Sequence, residues 1–192
     1  MQEFGASTAS AGARSYVGKK FLEIFYHEIF KLGMVQTDPN FANYKIKWSY
    51  GVQEPQIVLL DFGATKTFTP EFCENYRQMI KACIADDYDE IRKWAIIAGF
   101  LKEEDSKELV DMHYELVSMF LEPFRGKQPY RWHENDLAQR IRAFLPKFIL
   151  AFKLRPIPKD FIFLDRKIVG VYFFCSAIKA EFDPNPVLKR FL

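Results

Sequence analysis

The side chains best suited to chemistry in this sequence lie in two short acidic segments. Asp38 is followed, at a spacing of D-x-x-x-x-N, by Asn43, and Asp61 opens the triplet Asp61-Phe62-Gly63. Two carboxylates and an amide oxygen are hard donors of the kind magnesium prefers, its shell being completed by phosphate oxygens and water. Such a trio suits chemistry on a phosphate group, provided the chain gathers the three side chains in one place. Taken singly, each has a plainer use. Asp38 before Pro39 can start a turn, Asn43 can cap the hairpin, and Asp61-Phe-Gly63 can be a strand exit with Gly63 at positive φ. Taken together, they favour the metal-phosphate reading.

The elements between the two segments supply the means of gathering them. Tyr44–Trp48 alternates with period two, a turn passes through Gly51 and Pro55, and the apolar run Ile57–Leu60 leads straight into Asp61. This pattern predicts a short β-hairpin, expected to be the only sheet. A hairpin returns its end beside its beginning, so Asp38, Asn43 and Asp61 should converge. The order and spacing match the catalytic segment of protein kinases. There the first Asp positions or deprotonates the acceptor, the Asn holds one magnesium, and the Asp of Asp-Phe-Gly holds magnesium bridging the phosphates.

Around the hairpin the pattern is helical. Apolar positions from Phe21 to Leu32 recur at helical spacing from about Tyr16, and Gly33 stands where a left-handed cap belongs. Met34 to Asn43 reads as loop. Thr69-Pro-Glu71 is a well-formed helix start, and further helices are predicted near 87–99, 105–122, 136–154 and 160–180. Residues 1–15, rich in small side chains, are expected to be a flexible lead, with one folded unit over 16–192. The chain has 192 residues, of which 49% are hydrophobic and 17% aromatic, enough apolar surface for a core and too much for a disordered chain. A net charge of +2 gives no global footprint for nucleic acid. No stretch is long and apolar enough to span a bilayer. Cys73, Cys83 and Cys175 lack the spacing of a disulfide framework or a metal site and read as reduced, packed thiols.

The segments Gln36-Thr-Asp-Pro-Asn-Phe-Ala-Asn43, Val58-Leu-Leu-Asp-Phe-Gly-Ala-Thr-Lys66 and Phe163-Leu-Asp-Arg-Lys-Ile-Val-Gly170 resemble the UbiB or AarF-domain atypical kinase-like proteins associated with ubiquinone biosynthesis. In that family a Gln-Thr-Asp-Pro type sequence replaces the usual His-Arg-Asp, and Asp-Phe-Gly leads almost at once into a helix. The resemblance implies Mg2+ and ATP as cofactors. It implies Asp38 as the catalytic Asp, Asn43 and Asp61 as metal ligands, and Gly63 with them in the nucleotide-binding set. The implied fold is mainly α, a protein-kinase-like large lobe with one short hairpin at its catalytic loop. Only 37 residues precede Asp38, holding one helix and no strand pattern, so a small lobe is expected to be absent. The family's Lys-x-Gly-Gln signature and Ala-rich loop are likewise missing. The expected activity of the isolated chain is therefore weak or nil, and the contrasting expectation is a non-catalytic module binding a partner protein or lipid, with a vestigial metal site.

The implied partners are a nucleotide and proteins of ubiquinone biosynthesis, in mitochondria for a eukaryote, or in the cytoplasm or at the inner-membrane periphery for a bacterium. A lipid surface is a further candidate. Leu137 to Phe152 form an amphipathic face flanked by Arg140, Arg142, Lys147 and Lys153, which suits a membrane-surface helix but better suits a core helix with a charged rim. His27, His113 and His133 have no metal-ligand spacing and read as structural or surface residues.

Overall fold

The computed structural model describes residues 4–5, 7–49, 51, 53–152 and 158–192. It is mainly helical. Helix α1 (Ala11–His27) continues through a π-type turn, Glu28–Leu32, and stops at Gly33, whose φ of 60° is the left-handed cap expected there. The helix begins earlier than the expected flexible lead allows. Ser10 caps it, its hydroxyl accepting from the Ala13 N–H at 3.1 Å, and Ala9 and Ala13 are buried. Of the small residues that read as loose, Ala11 and Ala13 are good helix formers, and further along α1 the lack of a side chain at Gly18 lets the helix lie close to Ala180 and Phe182.

Three two-stranded antiparallel ladders are found among the described residues, where a single hairpin was expected. The expected hairpin is β2 (Tyr44–Lys47) with β3 (Gln56–Leu59), Tyr44 lying opposite Leu59. The second ladder joins β1 (Met34–Gln36) to β4 (Thr65–Thr67), with Gln36 opposite Thr65. The third joins β5 (Tyr130–Arg131) to β6 (Glu181–Phe182). Strands of two or three residues carry no readable periodicity, so β1, β4, β5 and β6 take their form from their partners.

Helices α2 (Pro70–Ala85), α3 (Tyr88–Ile97), α4 (Lys107–Arg125), α5 (Leu137–Ala151) and α6 (Lys159–Ala177) lie close to their predicted spans, and a short α7 (Asn185–Leu188) ends the chain. Thr69 caps α2, its hydroxyl accepting from the Phe72 N–H at 3.2 Å. The core gathers one face of each helix, α1 and α6 meeting through the rings of Phe21 and Phe174 at 4.1 Å. The amphipathic face of α5 turns inward, with Ile141 and Phe148 fully buried and Arg140 paired to Glu122 at 2.6 Å. Lys153, expected at the rim of that face, lies outside the described residues. No helix among the described residues is long and apolar enough to cross a membrane. All three cysteines are buried and free.

Candidate functional site

Two loops face each other at the junction of the first two ladders. One, residues 37–43, leaves β1 and enters β2 through a 3-10 turn at Phe41–Asn43. The other, residues 60–64, leaves β3 and enters β4. Both ends are stitched by backbone. At one end the Leu60 N–H donates to the Asn43 carbonyl at 2.9 Å. At the other the Thr37 N–H donates to the Ala64 carbonyl at 3.1 Å, and the Thr37 hydroxyl donates to the same oxygen at 2.8 Å. Asp38 and Asn43 therefore sit on a loop clamped against the one that carries Asp61. The hairpin supplies one clamp as expected, and the β1–β4 ladder, which the sequence did not signal, supplies the other.

Within the site the Asn43 side-chain amide donates to Asp38 Oδ2 at 3.0 Å. Its nitrogen being so engaged, its carbonyl oxygen faces away from Asp38 and is the atom able to meet a cation. Asp61 Oδ1 accepts from the Gly63 N–H at 2.8 Å, a tight turn in which a Cβ on Gly63 would come within 3.2 Å of that oxygen. Gly63 is not among the residues at positive φ, so it serves by lack of bulk rather than by left-handed backbone. The donors are all oxygen, two carboxylates and an amide, which fits a hard divalent ion such as Mg2+ and not a softer metal.

Helix α6 backs this loop from far along the chain. Arg166 donates to Asp38 Oδ1 at 3.1 Å, and Gly170, one turn on, faces Pro39 so closely that a Cβ there would meet Pro39 Cβ at 2.2 Å. Phe41 packs edge-on to Phe174 with ring centres 5.3 Å apart. Lys66, just past Ala64, pairs with Asp160 at 3.0 Å and so ties β4 to the start of the same helix. Between these contacts lies a buried charge pair, Lys167 and Glu28, with nitrogen and oxygen 3.7 Å apart. Burial pushes the Lys167 ammonium below its usual range, a shift that Glu28 opposes. It likewise pushes the Glu28 carboxyl upward against the pull of Lys167. Burial also raises the Tyr44 hydroxyl, with the charges of Glu28 and Asp38 adding to the effect.

Sequence reasoning assigned no role to Arg166, Lys167, Gly170 or Glu28. A signal existed for two of them. Lys167 lies one helical turn from the buried Leu164 and Val171, and Glu28 lies between buried Tyr26 and Ile29, so each is a charge on an apolar face.

Residues 3–95, which hold Asp38, Asn43, Asp61 and Gly63, match the ABC1 atypical kinase-like domain. This part of the chain belongs to the ABC1 atypical kinase-like family. Similar proteins include the mitochondrial atypical kinase coq-8 of Caenorhabditis elegans, 32% identical over 167 residues, which are 87% of this chain and 22% of that protein. The mitochondrial atypical kinase COQ8B of Rattus norvegicus is 31% identical over 172 residues, 90% of this chain and 32% of its own length. The mitochondrial atypical kinase COQ8 of Saccharomyces cerevisiae is 28% identical over 175 residues, 90% of this chain and 34% of its own length. The chain thus spans between a fifth and about a third of the length of the relatives it matches.

Proposed function

We propose that the loops 37–43 and 60–64 form a magnesium-nucleotide site within an atypical kinase or ATPase that supports ubiquinone biosynthesis. The chain would correspond to the large lobe of that fold. Asn43 and Asp61 would hold the metal, whose positive charge, when bound, neutralises the phosphates of ATP. Asp38 would orient the acceptor or accept its proton, and Gly63 would keep the Asp61 carboxylate folded onto the loop. The observation that carries this reading is the double clamp, which holds an all-oxygen set on two facing loops of an ABC1-family segment.

One feature favours a second reading, a non-catalytic module that binds a partner. Leu32, Met34 and Phe62 are 59%, 46% and 56% exposed and line a mostly apolar groove of about 410 Å³ beside the site. Manganese, a paramagnetic stand-in for magnesium, separates the two. On the metal-site reading, titrating Mn2+ broadens the amide NMR signals of residues 37–43 and 60–64 first, and Asp61→Asn weakens the effect about ten-fold or more. Broadening that is absent, or spread over unrelated surface carboxylates, refutes the metal site and leaves the binding module.

A further inference from the structure

Lys167 is 2% exposed, and an ammonium so deeply placed is tolerated only when its charge has a partner and its donors find acceptors. Two of its three donors are met by hydrogen bonds, and its charge by a carboxylate that stands just beyond hydrogen-bond reach. Its nitrogen donates to the Tyr44 hydroxyl at 2.6 Å and to Gln36 Oε1 at 3.1 Å, and its charge is met by Glu28. The identity of the two neutral partners carries the inference. Gln36 is the last residue of β1 and Tyr44 the first of β2, so they are the two ends of the loop that bears Asp38 and Asn43. The two ends also touch each other, the Tyr44 hydroxyl lying 3.4 Å from the same Gln36 oxygen.

We propose that Lys167 is a positioning residue for the candidate site, its ammonium acting as a staple that draws both ends of loop 37–43 to α6 and so fixes Asp38 against Asn43. A residue needed only to fill this part of the core would be apolar, as its helix neighbours Leu164, Ile168 and Val171 are. A buried charge pair is seldom the more stable choice, and its best-attested use is to specify one arrangement over others. With the staple closed, the span from Gln36 to Tyr44 is set from inside the protein. The Asn43 amide then stays 3.0 Å from Asp38 without a ligand to hold it. Arg166 grips Asp38 from the solvent side of the same helix, but with 59% of its side chain exposed it is free to rearrange, whereas Lys167 is not.

The effect on the loop does not depend on the function proposed above, while the effect on metal binding rests on it, and two readouts keep them apart. The variants are Glu28→Gln/Lys167→Met, which removes the staple without leaving a lone buried carboxylate, and Tyr44→Phe, which removes one acceptor and keeps the ring edge-on to Phe21. Amide hydrogen exchange and the Asn43 side-chain NMR signal report on the loop, and Mn2+ broadening reports on the site. The expected result is exchange about ten-fold or more faster in residues 37–43 for the double variant, with a smaller change for Tyr44→Phe, a displaced Asn43 signal, and unchanged protection in α4. Mn2+ affinity should fall in step. Should the double variant not fold, Tyr44→Phe decides by the same readouts. Loop exchange and an Asn43 signal like wild type, or an equal loss of protection in α4, overturn the proposal. Faster loop exchange in a protein that never responds to Mn2+ supports the staple and refutes the metal site.

Discussion

Replacing Gly170 by Ala tests whether α6 sets the position of the acidic loop. A Cβ at this position would lie 2.2 Å from Pro39 Cβ and 3.1 Å from Pro39 Cγ. Carbon atoms in contact sit about 3.5 Å apart or more, so Pro39 or the helix must give way by about 1.3 Å. The proline ring is stiff and adjoins Asp38, so most of that shift passes to a carboxylate whose two hydrogen bonds are already 3.0 and 3.1 Å long. Overpacking of this kind costs about 1–3 kcal/mol, and weakening the contacts of Asp38 adds a fraction of the about 1.5–3 kcal/mol a fully kept charged bond contributes. Against this stands the gain of about 1 kcal/mol for Ala over Gly inside a helix. The net expectation is a loss of about 1–2 kcal/mol in urea denaturation, with a displaced Asn43 side-chain signal. Gly12→Ala serves as the control, because its added Cβ would meet only the flexible end of Gln53 and should be neutral or stabilising. If Gly170→Ala stabilises the protein as the control does and leaves the Asn43 signal in place, the close approach of α6 to the loop is refuted.

Two further variants probe the core. A cavity of about 50 Å³ among α1, α2, α4 and α6 is lined by Asp165 and His113 beside Tyr76 and Phe161. Burial raises the Asp165 carboxyl to about 7 and lowers the His113 imidazole to about 4, and the Nδ1 of His113 meets no hydrogen-bond partner. A carboxyl raised in the folded state costs stability as pH climbs from about 4 to 7, whereas a histidine lowered there costs stability as pH falls from 6.5 to 4, so the two slopes oppose each other. Asp165→Asn should therefore stabilise above pH 7 by about 2 kcal/mol, half of what the full shift corresponds to because the residue keeps some contact with water. The same variant should uncover a loss on acidification below pH 6.5. Denaturant midpoints measured from pH 4 to 8 that keep the wild-type profile in the variant would remove Asp165 from this role. Thr69→Ala takes away the cap of α2 and should cost about 1 kcal/mol, read as a lowered thermal midpoint; an unchanged midpoint means the cap is made by other groups.

How much of this protein the sequence determined depends on the range over which its signals act. Helical periodicity, the caps at Gly33 and Thr69 and the alternation of Tyr44–Lys47 involve residues a few positions apart, and the helices and hairpin lie where those signals put them. The acidic candidates and the family were legible for the same reason, being carried by short motifs with fixed spacing. The second clamp was not. Strands β1 and β4 have three residues each and form only because the chain folds back to pair them. Nor could spacing reveal that Arg166, Lys167 and Gly170 stand against residues 36–44, for the Arg166 and Asp38 side chains meet across 128 positions of sequence. A lone lysine on an apolar helix face is an anomaly until its partners are known. Tertiary structure supplied them, because the cost of burying a charge is met only by groups that the whole fold brings to it.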